Sequence, residues 1–368
     1  MIQSAPHKAA FPLEAAPVPA ALPLKVALAG IGWWSTPIGH ALKRSRKLEL
    51  VTCFDPIPER RAAFAQAHAC GEAASYKAIL ADPSIEGVLL AVPNQAHEEM
   101  IAAAFRAGKH VFVEKPLTNV LAEAHGVLKA WKASGRVLAV GHCYRRAAGH
   151  RKLKEMIGQG VAGTPLWAEA VFANPLGLAL TPDKWRYFRA TCPGGPLMQM
   201  GVHHCDTLNY LMGRPVRVTG VHKKLATPAE IDDVTMTIVE HEGGPVSCIM
   251  CSFVTPGVYT LRVHGTAAVL SLEMIRKNQT LAHLTNQETT LRIQKMGEAG
   301  WTPVPLPELP DMILDELDEF AGCARCGGTP ETGFREAVEA LALVEGSTRS
   351  AETGRPVEIR DLLDGLAA

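Results

Sequence analysis

Residues 26–40 read "VALAGIGWWSTPIGH", and the order strand, glycine turn, helix within them decides the fold. Val26 to Ala29 form an apolar run fit for a buried strand, Gly30 and Gly32 break it, and a helix is predicted from about Ser35. Such a turn suits a dinucleotide pyrophosphate. Gly30 permits the tight bend, and Gly32 lets phosphate oxygens approach main-chain N–H groups at a helix N-terminus. Ser35 stands where the fingerprint has its third glycine, a position that serves helix-to-strand packing and tolerates a small residue. Trp33 and Trp34 are compatible with the turn if their rings point away from the phosphates. One is expected to pack against the cofactor and the other to fill core.

Outward from this turn, short apolar runs alternate with helix-forming segments. "KVALA", "LELVTCF", "GVLLAV", "HVFVEK" and "VLAVGH" are the runs, and their alternation predicts a doubly wound, mostly parallel sheet. After about residue 160 the pattern changes. "PLWAEAVFA", "VRVTGVHKK", "DVTMTIVEHE", "PVSCIMCSFV", "YTLRVHG" and "AAVLSLE" follow one another with few helices between, which predicts a largely antiparallel sheet. From about Met312 to Gly346 the pattern is helical again. The expected organisation is therefore an Ala/Pro-rich arm over 1–24, a dinucleotide-binding α/β domain over 25–146, and an α+β domain with a large open sheet over 147–368.

Composition narrows the partners. Lys plus Arg and Asp plus Glu number 37 each in 368 residues, so no field of one sign would gather nucleic acid or an anionic membrane. No run reaches eighteen apolar residues, and prolines interrupt the N-terminal arm, so neither a membrane span nor a signal segment is expected. Nine irregularly spaced cysteines fit a reducing cytoplasm better than a disulfide framework. Cys323 and Cys326 lie on a predicted helix without a second Cys or His pair, so no metal is expected.

The second strand ends in Asp55, 23 residues after Gly32, the spacing of a carboxylate that binds the adenosine ribose. A carboxylate there repels a 2′-phosphate, which favours NAD over NADP. The competing reading is that Asp55 and Pro56 form only a turn. Arg60 and Arg61 follow closely and bear on the same choice.

Residues 87–119, "GVLLAVPNQAHEEMIAAAFRAGKHVFVEKPLTN", resemble the glucose–fructose oxidoreductase / inositol dehydrogenase (Gfo/Idh/MocA) family in Pro93, Asn94, His97, Gly108, Lys109, His110 and the run Glu114-Lys115-Pro116. The likeness continues through "VGHCYRR" (140–146), "GGPLMQMGVHH" (194–204) and "RSAETGRPVEI" (349–359), and so spans roughly 25–360. It implies a Rossmann domain that binds NAD through Gly30, Gly32, Trp33, Trp34, Asp55, Pro93, Asn94, His97, Glu114 and Lys115. It also implies that Lys115 reaches the nicotinamide end and the substrate hydroxyl, where a cation stabilises the negative charge developing on the alcohol oxygen. Pro116, in the family, often follows a cis peptide.

Members of this family carry Asp-x-x-x-His on one helix. Here the histidine is His203 and Gln199 takes the aspartate position, so the chain departs from the pattern. Gln199 can hydrogen-bond a hydroxyl or orient His203, but supplies no charge. His203 is the expected general base, with Lys115 as the alternative. Asp206 and Asn209 are read as structural, with partial substitution for the missing carboxylate as the alternative role of Asp206, and His204 is expected to face packing. Arg145 is expected at the interdomain cleft as a substrate contact or, equally, as an ion-pair strut. Trp185 and Arg186 match positions of substrate contact and would give a sugar ring an aromatic platform beside donors.

The activity these residues imply is NAD-dependent hydride transfer to or from a secondary hydroxyl of a sugar, cyclitol or glycoside. The polyhydroxylated substrate is a small molecule, and a homodimer or homotetramer is expected through the outer face of the second sheet. Alternatives are a dihydrodiol dehydrogenase acting on a non-sugar ring, a redox-neutral glycoside-cleaving enzyme that recycles NAD, and a non-catalytic dinucleotide sensor.

Overall fold

The computed structural model describes residues 22–275, 288–309 and 311–366; most of the expected 1–24 arm lies outside them. Six strands, β1 (Leu24–Ala29), β2 (Leu48–Phe54), β3 (Gly71–Glu72), β4 (Gly87–Leu90), β5 (His110–Glu114) and β6 (Leu138–Gly141), form the first sheet. Their order is β3-β2-β1-β4-β5-β6, and every pairing is parallel. The helices between them, α1 (Ser35–Arg44), α2 (Pro58–His68), α3 (Tyr76–Ala81), α4 (His97–Arg106) and α5 (Leu121–Ser134), follow the strand–helix alternation predicted for a doubly wound sheet. β1, β4, β5 and β6 are almost wholly buried, as strands covered by helices on both faces must be. Chain direction through the sheet reverses between β1 and β4, the switch point beyond which such sheets bind ligands.

After helix α6 (Ala148–Gly158) come β7 (Pro165–Ala173), helix α7 (Val202–Met212), β8 (Pro215–Lys223), β9 (Val234–His241), β10 (Val246–Ser252), β11 (Val258–Gly265), β12 (Ala268–Ile275), β13 (Glu288–Lys295) and β14 (Thr302–Pro303). With β15 (Val357–Glu358) they make a nine-stranded sheet of order β14-β13-β12-β11-β7-β10-β9-β8-β15, antiparallel except for β7 beside β10. Alternation gives it one covered face. In β9, Thr235, Thr237 and Val239 turn inward while Met236 and Ile238 are about half exposed on the other side.

Helices α8 (Met312–Cys326) and α9 (Phe334–Thr353) account for the helical tail. α9 packs on the inner face of the second sheet, but α8 returns to the first. Phe320 of α8 stacks edge-on to Phe112 of β5, with ring centroids 6.0 Å apart. Arg325 donates to the carbonyls of Leu22 and Pro23 and pairs with Glu86 at 2.5 Å. The first layer is thus completed by a helix from near the far end of the chain.

Candidate active site

Gly30 has φ +93°, and a Cβ on it would lie 2.5 Å from the Ala91 carbonyl at the end of β4. Only glycine fits that bend. A Cβ on Gly32 would meet nothing within 4 Å, so the turn leaves open space at the N-terminus of α1. Ser35 is buried in the third-glycine position, and its hydroxyl donates to the Gly32 carbonyl at 2.7 Å, closing the turn with a side chain. Asp55 is buried, and its carboxylate accepts from the main-chain N–H groups of Ile31 (2.8 Å) and Ile57 (2.9 Å). It therefore pins the glycine turn to β2. Across the switch point, Pro93 is exposed, while Asn94 is buried with its side-chain nitrogen lacking a hydrogen-bond partner among the described residues. Open space at the glycine turn and this unused donor suit a bound dinucleotide.

His97 departs from its expected role. Its imidazole is fully buried, with Nδ1 2.8 Å from the Pro116 carbonyl and Nε2 3.0 Å from the Val92 carbonyl. It staples the β4 loop to the turn after β5, and so positions that turn without facing the open space.

Glu114 ends β5, Lys115 follows it, and the Lys115–Pro116 peptide is cis. Glu114 is buried opposite Gly141 of β6, where a Cβ would press to 3.0 Å from its carboxylate. Trp34 donates its indole N–H to Glu114 at 2.5 Å, while Trp33, its ring centroid 5.4 Å away, is 55% exposed. Trp34 is thus fixed and Trp33 faces solvent. Burial raises the Glu114 pKa to about 7, against the opposing pull of Lys115 and the indole N–H. Burial lowers Lys115 to about 8, opposed by Glu114 and reinforced by the charge of Arg186.

Lys115 Nζ donates to the main-chain carbonyl of Gln199 at 2.7 Å. That carbonyl belongs to a π-helical turn over Leu197–Gly201, which leads into α7. A π turn changes which carbonyls are engaged along a helix and is frequent at functional sites. The plain α-helix expected here, with Gln199 stacked one turn before His203, is replaced by this widened turn. The Gln199 side chain accordingly serves another group: Oε1 accepts from Arg186 Nε at 2.9 Å. Arg186 also lies over the Trp185 ring, 4.2 Å from its centroid. So Gln199 organises two cations, Lys115 through its main chain and Arg186 through its side chain.

His203 is buried at the start of α7, its ring centroid 4.3 Å from that of Tyr144 and 6.5 Å from that of His142. His204 turns to packing, against Phe172 and Tyr259. Arg145 is corrected: its guanidinium is buried and held by the Asp206 carboxylate through Nε (2.9 Å) and Nη2 (2.5 Å), with Tyr210 beneath it. It is a strut. Asp206 is consumed by that pair and is no substitute for a carboxylate at position 199.

His142 was not singled out from the sequence. It is buried, neither ring nitrogen has a hydrogen-bond partner among the described residues, and burial lowers its pKa to about 4. The signal for it lies in "VGHCYRR", three residues before Arg145. Among the described residues, no group of three or more His, Cys, Asp or Glu side chains could hold a metal ion.

Residues 24–142 match the model described as "Oxidoreductase family, NAD-binding Rossmann fold", and residues 150–271 match the GFO/IDH/MocA C-terminal domain. The chain is 28% identical over 315 residues to 1,5-anhydro-D-fructose reductase of Ensifer adhaerens, covering 84% of this chain and 91% of the relative. It is 26% identical to the NAD(+) scyllo-inositol 2-dehydrogenase of Bacillus subtilis, with 76% and 80% covered. A solved protein of Desulfitobacterium hafniense, provisionally described as an NADPH-dependent oxidoreductase, superposes with a TM-score of 0.87 at 34% identity, covering 93% of this chain and 99% of that one.

Proposed function

Because the chain belongs to the Gfo/Idh/MocA family of NAD-binding oxidoreductases, whose relatives act on sugars and cyclitols, we propose that it moves a hydride between nicotinamide and a secondary hydroxyl of a polyhydroxylated small molecule. One observation carries this reading: Lys115, from the dinucleotide-binding layer, reaches the Gln199 turn that leads directly to His203. Bound NAD supplies the hydride acceptor. The chain's own residues do the rest. Lys115 holds a positive charge where the alcohol oxygen develops negative charge, and His203 takes the hydroxyl proton. Gln199 keeps Lys115 in place, and Trp185 with Arg186 flanks the substrate position.

NAD is preferred over NADP in this reading, because the Asp55 carboxylate is fixed at the end of β2 by two main-chain N–H bonds and would repel a 2′-phosphate. Arg61 lies beside it, but donates to the Asp55 carbonyl (3.1 Å) and to Glu72 (3.2 Å). The NADPH description of the D. hafniense relative is the competing indication.

A homodimer or homotetramer is proposed through the outer face of the second sheet. Met236, Ile238, Val221 and Trp167 expose between 41% and 54% of their surface there. No described helix is long and apolar enough to cross a membrane, and all nine cysteines are free thiols, which supports a reducing cytoplasm as the compartment.

The test is a panel of sugars, inositols, glycosides and cis-diols followed at the nicotinamide absorbance with NAD and NADP. Stoichiometric NADH from at least one polyol is expected. Turnover without net NADH would favour the redox-neutral alternative, and dinucleotide binding without turnover would favour the sensor.

A further inference from the structure

Arg186 is exposed and forms no ion pair with a carboxylate among the described residues. Its Nε donates to the neutral side-chain carbonyl of Gln199, and its two terminal nitrogens have no hydrogen-bond partner among the described residues. Neighbouring cations differ in this respect: Lys184 pairs with Asp183 at 2.5 Å and Arg189 with Asp232 at 3.3 Å. Arg186 shares Gln199 with Lys115, so two positive groups converge on one uncharged residue. Glu114, next to Lys115 in the chain, attracts that lysine but accepts its hydrogen bond from the Trp34 indole, so it leaves Arg186 without a carboxylate.

Lys115 is part-buried and Arg186 is exposed, so water screens part of the repulsion between them, and an anion beside the guanidinium would relieve the rest. A planar guanidinium with a free fork matches a carboxylate or phosphate in bidentate fashion. Oxidised nicotinamide, itself cationic, would add to the imbalance in the oxidative direction. A neutral sugar leaves it unrelieved, whereas an oxyanion cancels part of it.

Resting on the oxidoreductase reading above, we infer that the substrate is a polyol bearing an oxyanion, carboxylate or phosphate, that docks on the free fork of Arg186 while its reacting hydroxyl lies at Lys115. Charge at the substrate end is thereby matched by the protein, and Gln199 is what leaves the fork unclaimed. An acid at position 199 would occupy it.

The experiment uses pairs that share a carbon skeleton and differ at the charged group: D-gluconate with D-glucitol, D-galacturonate with its methyl ester, and D-glucose 6-phosphate with D-glucose. Turnover is followed as NADH, and binding to the enzyme–NADH complex is measured by calorimetry, so a pair that is not oxidised still gives a result. The charged member of at least one pair is expected to be preferred by roughly tenfold to hundredfold, the scale of a charge-assisted contact. Which pair responds separates carboxylate from phosphate. Arg186→Met should bring that ratio close to one while the NADH Kd moves less than twofold, and Gln199→Glu should reduce it about tenfold.

Equal or reversed preference in every pair overturns the inference, as does a ratio untouched in Arg186→Met. A loss of NADH affinity in that variant as large as the loss of sugar-acid affinity also overturns it, because the guanidinium would then serve the cofactor. Oxidation of neutral sugars alone sinks this inference and leaves the oxidoreductase reading standing. Failure to bind either dinucleotide sinks both.

Discussion

The Lys115 ammonium and the Gln199 carbonyl meet at 2.7 Å, and this contact ties the dinucleotide-binding layer to the turn that carries His203. A lysine placed this way is anchored by an uncharged oxygen, which holds it without fixing its protonation state. Its charge is therefore open to control by pH.

Burial lowers Lys115 to about 8, so its charge is present below that pH and lost as pH rises through it. As a polarising cation, it gives an alkaline limb on which kcat/KM for alcohol oxidation falls near pH 8. Lys115→Arg, which stays charged, should flatten the limb at a lower absolute rate. Lys115→Met should reduce kcat by about 10²–10³-fold with NADH affinity nearly unchanged. A rate that climbs through pH 8 would instead make Lys115 the base.

Trp34 stabilises the charged form of Glu114 through its indole N–H. Trp34→Phe keeps a ring but removes that donor, so Glu114 moves up from about 7 and carries less charge near neutrality. Lys115 then loses part of the attraction that supports its own charge. The alkaline limb should shift to lower pH in Trp34→Phe. Superimposable pH profiles would show that the indole does not act through Glu114.

Arg145 and Asp206 form a buried pair, 6% and 1% exposed. Asp206→Asn leaves the guanidinium short of its main counter-charge and should cost about 3–5 kcal/mol, seen as a clear drop in Tm. The double variant Arg145→Met/Asp206→Asn should recover much of that loss. Substrate KM in the double variant is expected to stay within about threefold, which distinguishes a strut from a substrate contact; a larger KM change with restored Tm would return Arg145 to the binding site.

Met236 and Ile238 stand on the open face of the nine-stranded sheet. If the proposed oligomer forms through this face, the wild-type chain should run as a dimer or tetramer and Met236→Glu/Ile238→Glu as a monomer in light-scattering chromatography. An unchanged mass would move the interface elsewhere.

The alternation of apolar runs with helices made the first sheet legible, because a buried parallel strand needs continuous apolar residues and each glycine that ends one has a local steric cause. Gly30, Asp55 and the strands up to β12 other than the two-residue β3 follow from such local rules, whereas Lys115 stands out only through the family resemblance. Other features did not. The π turn at Leu197–Gly201 has no periodicity of its own, so Gln199 reads as part of an ordinary helix. The partner of Arg145 lies 61 residues away, and nothing local distinguishes an arginine that meets substrate from one that meets Asp206. His97 reads as a cofactor contact because it sits beside Pro93 and Asn94, yet its two partners are main-chain carbonyls, which carry no signal in residue identity. His142 was hidden for the opposite reason: a histidine that makes no hydrogen bond is defined by what surrounds it.

The return of α8 to the first sheet limits how this protein can be divided. Cutting after residue 146 would strip Phe320 from Phe112 and Arg325 from Glu86, exposing an apolar underside that β1, β2, β5 and β6 otherwise share with that helix. A chimera that borrows the dinucleotide-binding half must therefore carry residues 312–326 along with it. Two units that follow one another in sequence are here physically interleaved.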